Sequence, residues 1–251
     1  MTMESNNSSY LTDKQSWERG SFNEADLLTI DKRFHGILSR YLEFNREKTV
    51  FEVGCYPGRF LLYFYRQYGY KPSGIDYATN TKEIELYFQK HKVDYGNIYC
   101  QDIFEFAGTE KYDVVYSLGF IEHFRDFNEI VRLHENCLKE NGVLVIGLPN
   151  FNNVFKKILR YKEIEGHNLE MMNVDFIRTY FLNRRRNYEI LYLDFIVPQL
   201  FYDLSEKKRV LGEIINRLNN FSNRNYPLVN KRVLKKVFGT YILGVFKFQR
   251  A

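Results

Sequence analysis

A glycine-containing loop between two apolar segments has the clearest chemical meaning in this chain. Residues 50–58 read Val-Phe-Glu-Val-Gly-Cys-Tyr-Pro-Gly, and residues 59–65 continue without a helix breaker. This pattern predicts a strand, a tight turn and a helix, the unit by which a doubly wound sheet brings a ligand against bare backbone. Glycine suits the turn because a Cβ would block either the turn or the ligand. The loop therefore predicts a ligand site at a helix N-terminus.

The spacing of the glycines narrows the class of ligand. A dinucleotide fingerprint reads Gly-x-Gly-x-x-Gly, whereas this loop has Gly54 and Gly58 with Tyr56 at the middle position. We therefore expect no pyrophosphate against this backbone. A second short strand is predicted to end at Asp76, at about the 20-residue separation typical of a carboxylate that binds a ribose diol. Together these features favour a nucleoside without a pyrophosphate.

With these residues in place, the sequence resembles the class I S-adenosylmethionine-dependent methyltransferases of the small-molecule type. Five segments occur in that family's order and at its usual intervals: EVGCYPG at 52–58, GIDY at 74–77, YCQDI at 99–103, YDVVYSL at 112–118 and GVLVIGLPN at 142–150. The resemblance covers about residues 46–150. It implies S-adenosylmethionine as cofactor and an α/β, Rossmann-like, doubly wound seven-stranded sheet whose last strand is antiparallel.

The resemblance also implies roles for residues at the strand ends. Gly54 and Gly58 would bring backbone to the amino-acid part of the cofactor, Asp76 would hold the ribose hydroxyls, and Asp102 would accept a hydrogen bond from the adenine amino group. Tyr77 would lie beside the adenine. The alternative for either aspartate is a solvated loop carboxylate, and the alternative for Tyr77 is simple packing. The complete set of predicted cofactor residues is Glu52, Gly54, Cys55, Tyr56, Gly58, Asp76, Tyr77, Gln101, Asp102, Ile103, Leu118 and Gly119.

Two histidines are candidates for a general base. His123 follows the fourth predicted strand at the carboxyl edge, where such sheets bind ligands, and His167 follows the fifth, in a segment expected to cross the acceptor pocket. Imidazole titrates near neutrality and could take a proton from a hydroxyl acceptor, although His123 could instead only shape the pocket. Methyl transfer from a sulfonium requires no metal, so we predict none. A metal held by His123, His167 and Glu122 or Glu170 is conceivable, but the spacing does not demand it.

From Thr49 the pattern alternates between strand and helix, which predicts a parallel sheet covered on both faces. The predicted strands lie near 49–54, 71–76, 97–101, 113–118, 142–148, 189–196 and 240–248, and the helices near 25–44, 58–68, 80–91, 126–139 and 173–183.

Around this core we predict three parts of a single domain. They are an N-terminal lid and helix (1–45), the cofactor-binding core (46–150) and a C-terminal half of the sheet (151–251). The lid is what the resemblance implies, since in similar methyltransferases the segment ahead of this helix often folds over the cofactor. An inserted cap at about 198–238 would form an acceptor cover or a homodimer surface. Trp17 is expected in the lid or as a hydrophobic anchor for the N-terminal segment.

Composition restricts the class of protein. The chain has 251 residues, 45% hydrophobic and 27% charged, which is typical of globular rather than disordered proteins. We see no apolar run of about 18 residues and no signal-peptide pattern, so we expect no membrane span and a cytoplasmic location. The three cysteines indicate neither a disulfide framework nor a zinc site. Cys55 and Cys100 are expected to be small apolar fillers.

The net charge is +5, and the basic residues cluster late in the sequence, at 184–186, 207–209 and 231–236. We consider three interpretations of these clusters: a solvated basic face, an attraction for an anionic acceptor, and an RNA-facing patch, which is the least favoured.

We predict a methyltransferase acting on a small-molecule acceptor. The favoured reaction is O-methylation of a sugar, nucleotide-sugar or natural-product-like hydroxyl with a histidine base. The alternatives are an RNA methyltransferase and a non-catalytic cofactor-binding partner.

Overall fold

A seven-stranded sheet organises the part of the chain that this computed structural model describes, namely residues 9–12, 32–152, 166–196 and 239–249. Its strands are β1 (Thr49–Val53), β2 (Lys71–Asp76), β3 (Ile98–Cys100), β4 (Tyr112–Leu118), β5 (Leu138–Pro149), β6 (Tyr188–Ile196) and β7 (Tyr241–Phe248). The described helices are α1 (Lys32–Leu38), α2 (Arg59–Tyr68), α3 (Lys82–Lys90), α4 (Phe127–Glu135) and α5 (Val174–Asn183).

The strand order is β3-β2-β1-β4-β5-β7-β6. Strands β3, β2, β1, β4 and β5 pair in parallel, and β7 runs antiparallel to both of its neighbours. This confirms the predicted Rossmann-like, doubly wound sheet with an antiparallel last strand. The order reverses between β1 and β4, so the carboxyl ends of these strands form the crevice where open α/β sheets bind ligands.

Alternating residues of the central strands bury opposite faces of the sheet. Val50 packs in one hydrophobic core with residues of α1, α2 and α3, whereas Phe51 packs in the other with residues of α4 and α5. This follows from the two-residue period of a strand buried on both faces. Each strand end is thus fixed from both sides, which positions the loops that follow it.

The high aromatic content of 17% largely serves these two cores. Phe64 and Tyr116 have ring centroids 4.5 Å apart, and the stacked rings of Phe181 and Phe246 lie 3.7 Å apart. Aromatic side chains bury large areas and add favourable ring contacts. The rings therefore contribute first to the stability of the scaffold that carries the site.

Two predicted helix boundaries are wrong. The helix predicted over 126–139 ends at Glu135, and Leu138 already pairs with Tyr112 in the sheet. The described part of the helix predicted over 25–44 ends at Leu38. Leu42, which continues the apolar period, is buried but lies beyond the helix, and its amide donates a hydrogen bond to the carbonyl of Leu38. In both places apolar residues fit a helical period although the chain has already left the helix.

Several predicted features fall outside the described residues, including Trp17 and the insertion at 198–238. Cys55 is buried as expected, but Cys100 is exposed, so its prediction as a core filler is wrong. No helix within the described ranges is long and apolar enough to cross a bilayer.

A buried histidine in α4 makes the stability of the fold depend on pH. His134 is fully buried and its Nδ1 lies 2.7 Å from the carbonyl oxygen of Ile130. Burial lowers the pKa of His134 to about 4. Because the folded pKa lies below the unfolded value, the unfolded state takes up the proton first as the pH falls. The contribution of neutral, buried His134 to the stability of the folded state is complete above about pH 6.5 and is lost as the pH falls from there to about 4.

We therefore expect the unfolding free energy to fall by roughly 2–3 kcal/mol more in the wild type than in His134→Leu between pH 7.5 and pH 4.5. Urea denaturation at both pH values measures this difference. The comparison between the two proteins removes the contribution of other titrating groups, including His123. Equal pH dependence in the two proteins would contradict the assignment.

Candidate cofactor and acceptor site

A cavity of about 320 Å³ opens at the carboxyl ends of β1, β2 and β4. It lies at the point where the strand order reverses. Most of the predicted cofactor residues line it, and so does His123. The lining residues are Tyr10, Val53, Gly54, Tyr56, Pro57, Ile75, Asp76, Tyr77, Gln101, Ile103, Leu118, Gly119, Phe120 and His123.

The loop after β1 needs its glycines for conformation and for space. Gly54 has φ +78° and Gly58, which precedes α2, has φ +88°, both in the left-handed region that favours glycine. A Cβ on Gly54 would lie 2.5 Å from the ring of Phe120, and a Cβ on Gly58 would lie 2.9 Å from Ile84. Gly54 therefore forms the cavity wall with bare backbone, while Gly58 sits behind the wall against α3.

The replacement Gly54→Ala is expected to cost about 1–2 kcal/mol of stability from left-handed strain alone, with a further cost from displacing Phe120. Because Phe120 also lines the cavity, we expect cofactor affinity to fall by about tenfold or more. Thermal unfolding and calorimetric titration with S-adenosylhomocysteine measure the two effects. Gly36→Ala is the matched control, since a Cβ there meets nothing within 4 Å. Equal behaviour of the two variants would contradict this role.

Asp76 joins the glycine loop to the end of β2. Its Oδ2 accepts a hydrogen bond from the amide of Tyr56 at 2.9 Å, and its Oδ1 accepts one from the amide of Ala78 at 2.8 Å. Burial raises the pKa of Asp76, and the hydrogen bonds from these amides oppose that shift. A carboxylate has about four acceptor positions, so both oxygens retain capacity for hydroxyl donors. The phenol of Tyr56 instead donates to Glu83 on α3.

Asp102 is buried behind the cavity and bonds to the N-terminal segment. Its carboxylate accepts hydrogen bonds from the hydroxyl of Tyr10 and from the amide of Phe104. Tyr10 lines the cavity, and the amide of Leu11 donates to the carbonyl of His123 at 2.8 Å. The pKa of Tyr10 is raised, first by burial and then by its bond to Asp102. Tyr10 thus contributes to the cavity wall, a contact that no local pattern within the predicted lid and helix segment 1–45 indicated.

Three other predicted residues support the wall from behind. Glu52 is buried, and its Oε2 accepts a hydrogen bond from the hydroxyl of Tyr116 at 2.8 Å. Burial raises the pKa of Glu52 and also that of the Cys55 thiol. Neither of them, nor Gly58, is among the residues that line the cavity. Their contacts fix the ends of β1 and the start of α2.

His123 lies on the cavity wall, in a short 3₁₀ turn after β4. Its Nδ1 is 2.6 Å from the hydroxyl of Thr12, which donates to the carbonyl of Gly166, also at 2.6 Å. Burial lowers the pKa of His123 to about 4, with a further contribution from the neighbouring His167. Hydrogen bonds to the backbone at Gly166 and Gly119 oppose the shift. His123 is therefore neutral at pH 7.

His167 lies beside His123, outside the cavity lining. The two ring centroids are 4.4 Å apart, and the ring of Phe151 is 5.1 Å from that of His167. The next residue, Asn168, donates its amide to the carbonyl of Glu122 at 2.6 Å. The structure thus brings together the two histidines that the sequence predicted as rival bases.

Glu122 is the buried acid next to this pair. Its side chain is only 2% exposed, and its Oε1 lies 4.0 Å from Nε2 of His123. Its Oε2 is buried and has no hydrogen-bond partner among the described residues. Burial raises the pKa of Glu122 to about 8. A carboxyl in this position is costly for the fold unless a proton or a cation accompanies it.

Comparison with known proteins agrees with this geometry. A family model described as a methyltransferase domain matches residues 29–193, and no curated protein sequence gives a significant match. Similar solved structures include an S-adenosylmethionine-dependent methyltransferase from Thiobacillus denitrificans in complex with S-adenosyl-L-homocysteine. It is 16% identical with a TM-score of 0.52, over 94% of this chain and 96% of that chain.

Two further structures of the same fold carry more specific names. Coclaurine N-methyltransferase bound to N-methylheliamine and S-adenosylhomocysteine is 12% identical with a TM-score of 0.55, over 96% of this chain and 77% of that chain. The StiE O-methyltransferase is 13% identical with a TM-score of 0.55, over 87% of this chain and 74% of that chain. At such low identities, these likenesses show the fold alone.

The fold, the cavity at the reversal of strand order and the family match define a class I S-adenosylmethionine-dependent methyltransferase. Because the family match spans more than half of its length, the chain belongs to the methyltransferase-domain family. Its cofactor is S-adenosylmethionine. The residues present suit that cofactor, since Gly54 lines the cavity with bare backbone and Asp76 and Gln101 add polar groups to the same cavity.

Proposed function

We propose that this protein transfers a methyl group to a hydroxyl of a small-molecule acceptor. S-adenosylmethionine supplies an activated methyl group on a sulfonium. Asp76 would hold the ribose hydroxyls, Tyr77 and Ile103 would flank the adenine, and Gly54 would lie against the amino-acid part. Leu118 and Gly119 would face the methyl group. The chain's own task is then to orient the acceptor and to take its proton.

The position and protonation state of His123 are the observation that carries the choice of a hydroxyl acceptor. The ring lies on the cavity wall, in the 3₁₀ turn that follows Leu118 and Gly119 in the chain. With a pKa of about 4, it has a lone pair to offer at neutral pH. An amine acceptor can react without such a base, whereas a hydroxyl benefits from one. Thr12 and Gly166 hold the ring through Nδ1.

Acceptors of the kind predicted from sequence remain the best candidates: a sugar, a nucleotide-sugar or a natural-product-like hydroxyl. One residue of the described basic cluster has contacts within the fold, whereas Arg185 and Arg186 are exposed. Arg184 pairs with Glu135 at 2.7 Å and contacts the ring and hydroxyl of Tyr180. It is therefore a structural residue that joins α5 to α4. The clusters at 207–209 and 231–236 lie outside the described residues.

An acceptor panel tests the proposal directly. Purified protein is incubated with S-adenosylmethionine and matched pairs of hydroxyl and amine compounds, with and without a negative charge. Mass spectrometry then identifies the methylated atom. We expect product from hydroxyl compounds and no turnover with RNA. Exclusive methylation of amines would overturn the hydroxyl assignment, and a requirement for RNA with steep salt dependence would favour the polymer substrate.

A further inference from the structure

One cluster of side chains beside the cavity has the composition of a metal site. Glu122, His123 and His167 each place one potential ligand atom so that the three atoms lie within 4.8 Å of one another. We call these residues the His-Glu-His cluster. Glu122 and His123 come from the turn after β4, and His167 comes from the segment after β5. Two separate parts of the chain therefore converge on one point.

A second observation points to a ligand at this place. Oε2 of Glu122 is buried and makes no hydrogen bond with any described residue. Buried carboxylate oxygens are normally satisfied, and the exceptions often mark an ion or water that completes them. The neighbouring titratable groups include two imidazoles, which are good ligands for divalent transition metals. The phenol of Tyr241 is a third, and its pKa is raised first by burial and then by Glu122.

The surroundings also fit a metal ligand set. Nδ1 of His123 bonds to Thr12, which in turn bonds to the carbonyl of Gly166, and Nε2 faces Glu122. Metal-binding histidines commonly have the second ring nitrogen held in this way. If a metal ion lay between the three atoms, metal–ligand distances of about 2.1 Å would require each atom to move toward it by less than about 1 Å. Side-chain rotation can supply such a movement.

We propose that the His-Glu-His cluster binds one divalent transition-metal ion of the Zn²⁺ class. Two imidazoles and one carboxylate make three protein ligands, which is the number found in catalytic zinc sites that keep an open position. The carboxylate lies close behind the cavity wall at Gly119. A Cβ built there would lie 3.7 Å from Oε1 of Glu122, and Gly119 itself lines the cavity.

The ion would also have a role in the reaction, and this role rests on the proposed function. At the cavity wall it could bind an acceptor hydroxyl and lower the pKa of that hydroxyl, whose proton would pass to water. The oxygen would then take the methyl group from the sulfonium of S-adenosylmethionine, and S-adenosylhomocysteine would leave. His123 would then be a ligand rather than the direct base. This departs from the expectation that no metal is present, which rested on the chemistry of the sulfonium alone. Binding of the ion stands or falls independently of what is methylated.

Cobalt is a suitable probe because Co²⁺ reports its ligands by visible absorption. The full-length protein is dialysed against a chelator and titrated with Co²⁺, without cofactor or acceptor. We expect bands that saturate at one equivalent and Zn²⁺ that displaces the cobalt. Glu122→Gln and His167→Ala should each weaken binding by more than about 100-fold, since even outer-shell changes cost 10- to 100-fold. His91→Ala, at an exposed histidine, should bind like the wild type.

Three results would overturn the site: no saturable band, a band that survives both ligand variants, or a band lost in Cys100→Ser, which would place the ion on the exposed thiol. Circular dichroism and S-adenosylhomocysteine binding check that each variant is folded. If Glu122→Gln does not fold, His167→Ala decides, because His167 is only partly buried. Since no acceptor is present, failure here leaves the hydroxyl acceptor panel as a separate test.

Discussion

Replacement of Asp76 by alanine is expected to weaken binding of S-adenosylmethionine by about 5- to 150-fold. This corresponds to roughly 1–3 kcal/mol, the scale for losing a charged hydrogen-bond partner. The carboxylate lies at the end of β2 on the cavity wall and bonds to the amides of Tyr56 and Ala78. The substitution thus removes both the acceptor for the ribose hydroxyls and the bond that holds the glycine loop. Calorimetric titration with S-adenosylhomocysteine measures the loss.

Two companion variants separate these contributions. Asp76→Asn keeps one carbonyl oxygen, so it should retain one amide bond and lose less affinity. Asp94→Ala removes an exposed acid whose partner is Lys71 and should bind like the wild type. A folded Asp76→Ala protein with unchanged affinity would remove Asp76 from the site, and a loss in Asp94→Ala would show that overall charge is responsible.

The cofactor half of the site was predictable because its signals are local. Gly54 and Asp76 each follow a short apolar run, and parallel strands that end at the same edge bring such positions together. The strand alternation around Thr49–Pro149 fixed the order of elements. The error at Glu135 arose because Leu138 fits a helix face but pairs with Tyr112 in the sheet. The error at Leu38 arose because Leu42 is buried in the connection that follows the helix.

The remaining parts of the site depend on contacts between distant positions. Tyr10 bonds to Asp102 across 92 positions, and Thr12 contacts His123 across 111. No period or motif in a single sequence reports such a pair, because Asp102 and His123 could be predicted from their strand ends whereas nothing local marked Tyr10 and Thr12 as their partners. The burial of Glu122 is similar, since it depends on the segment after β5 folding back over the turn after β4. These are the places where the structure adds most to the sequence.

Replacement of His123 by alanine is expected to reduce turnover by about 100-fold or more while leaving cofactor affinity unchanged. The magnitude is the typical contribution of a positioned proton acceptor. Because the pKa of His123 is about 4, the wild-type rate should stay level between pH 7.5 and 5.5. A base with the ordinary imidazole pKa of about 6.5 would lose most of its neutral form over this range. Single-turnover rates across this range, with His91→Ala as control, measure both effects.

His167→Ala distinguishes the two ways in which His123 can act. If His123 removes the proton directly, His167 is a neighbour outside the cavity lining, and its loss should change turnover by only a fewfold. If the His-Glu-His cluster holds an ion, both histidines are ligands, and their variants should lose activity together and regain part of it at high Zn²⁺. Full activity in both variants would exclude either role and leave His123 as a residue that only shapes the pocket. Comparison of the turnover rates of His123→Ala and His167→Ala therefore separates proton removal by His123 from metal binding by the cluster.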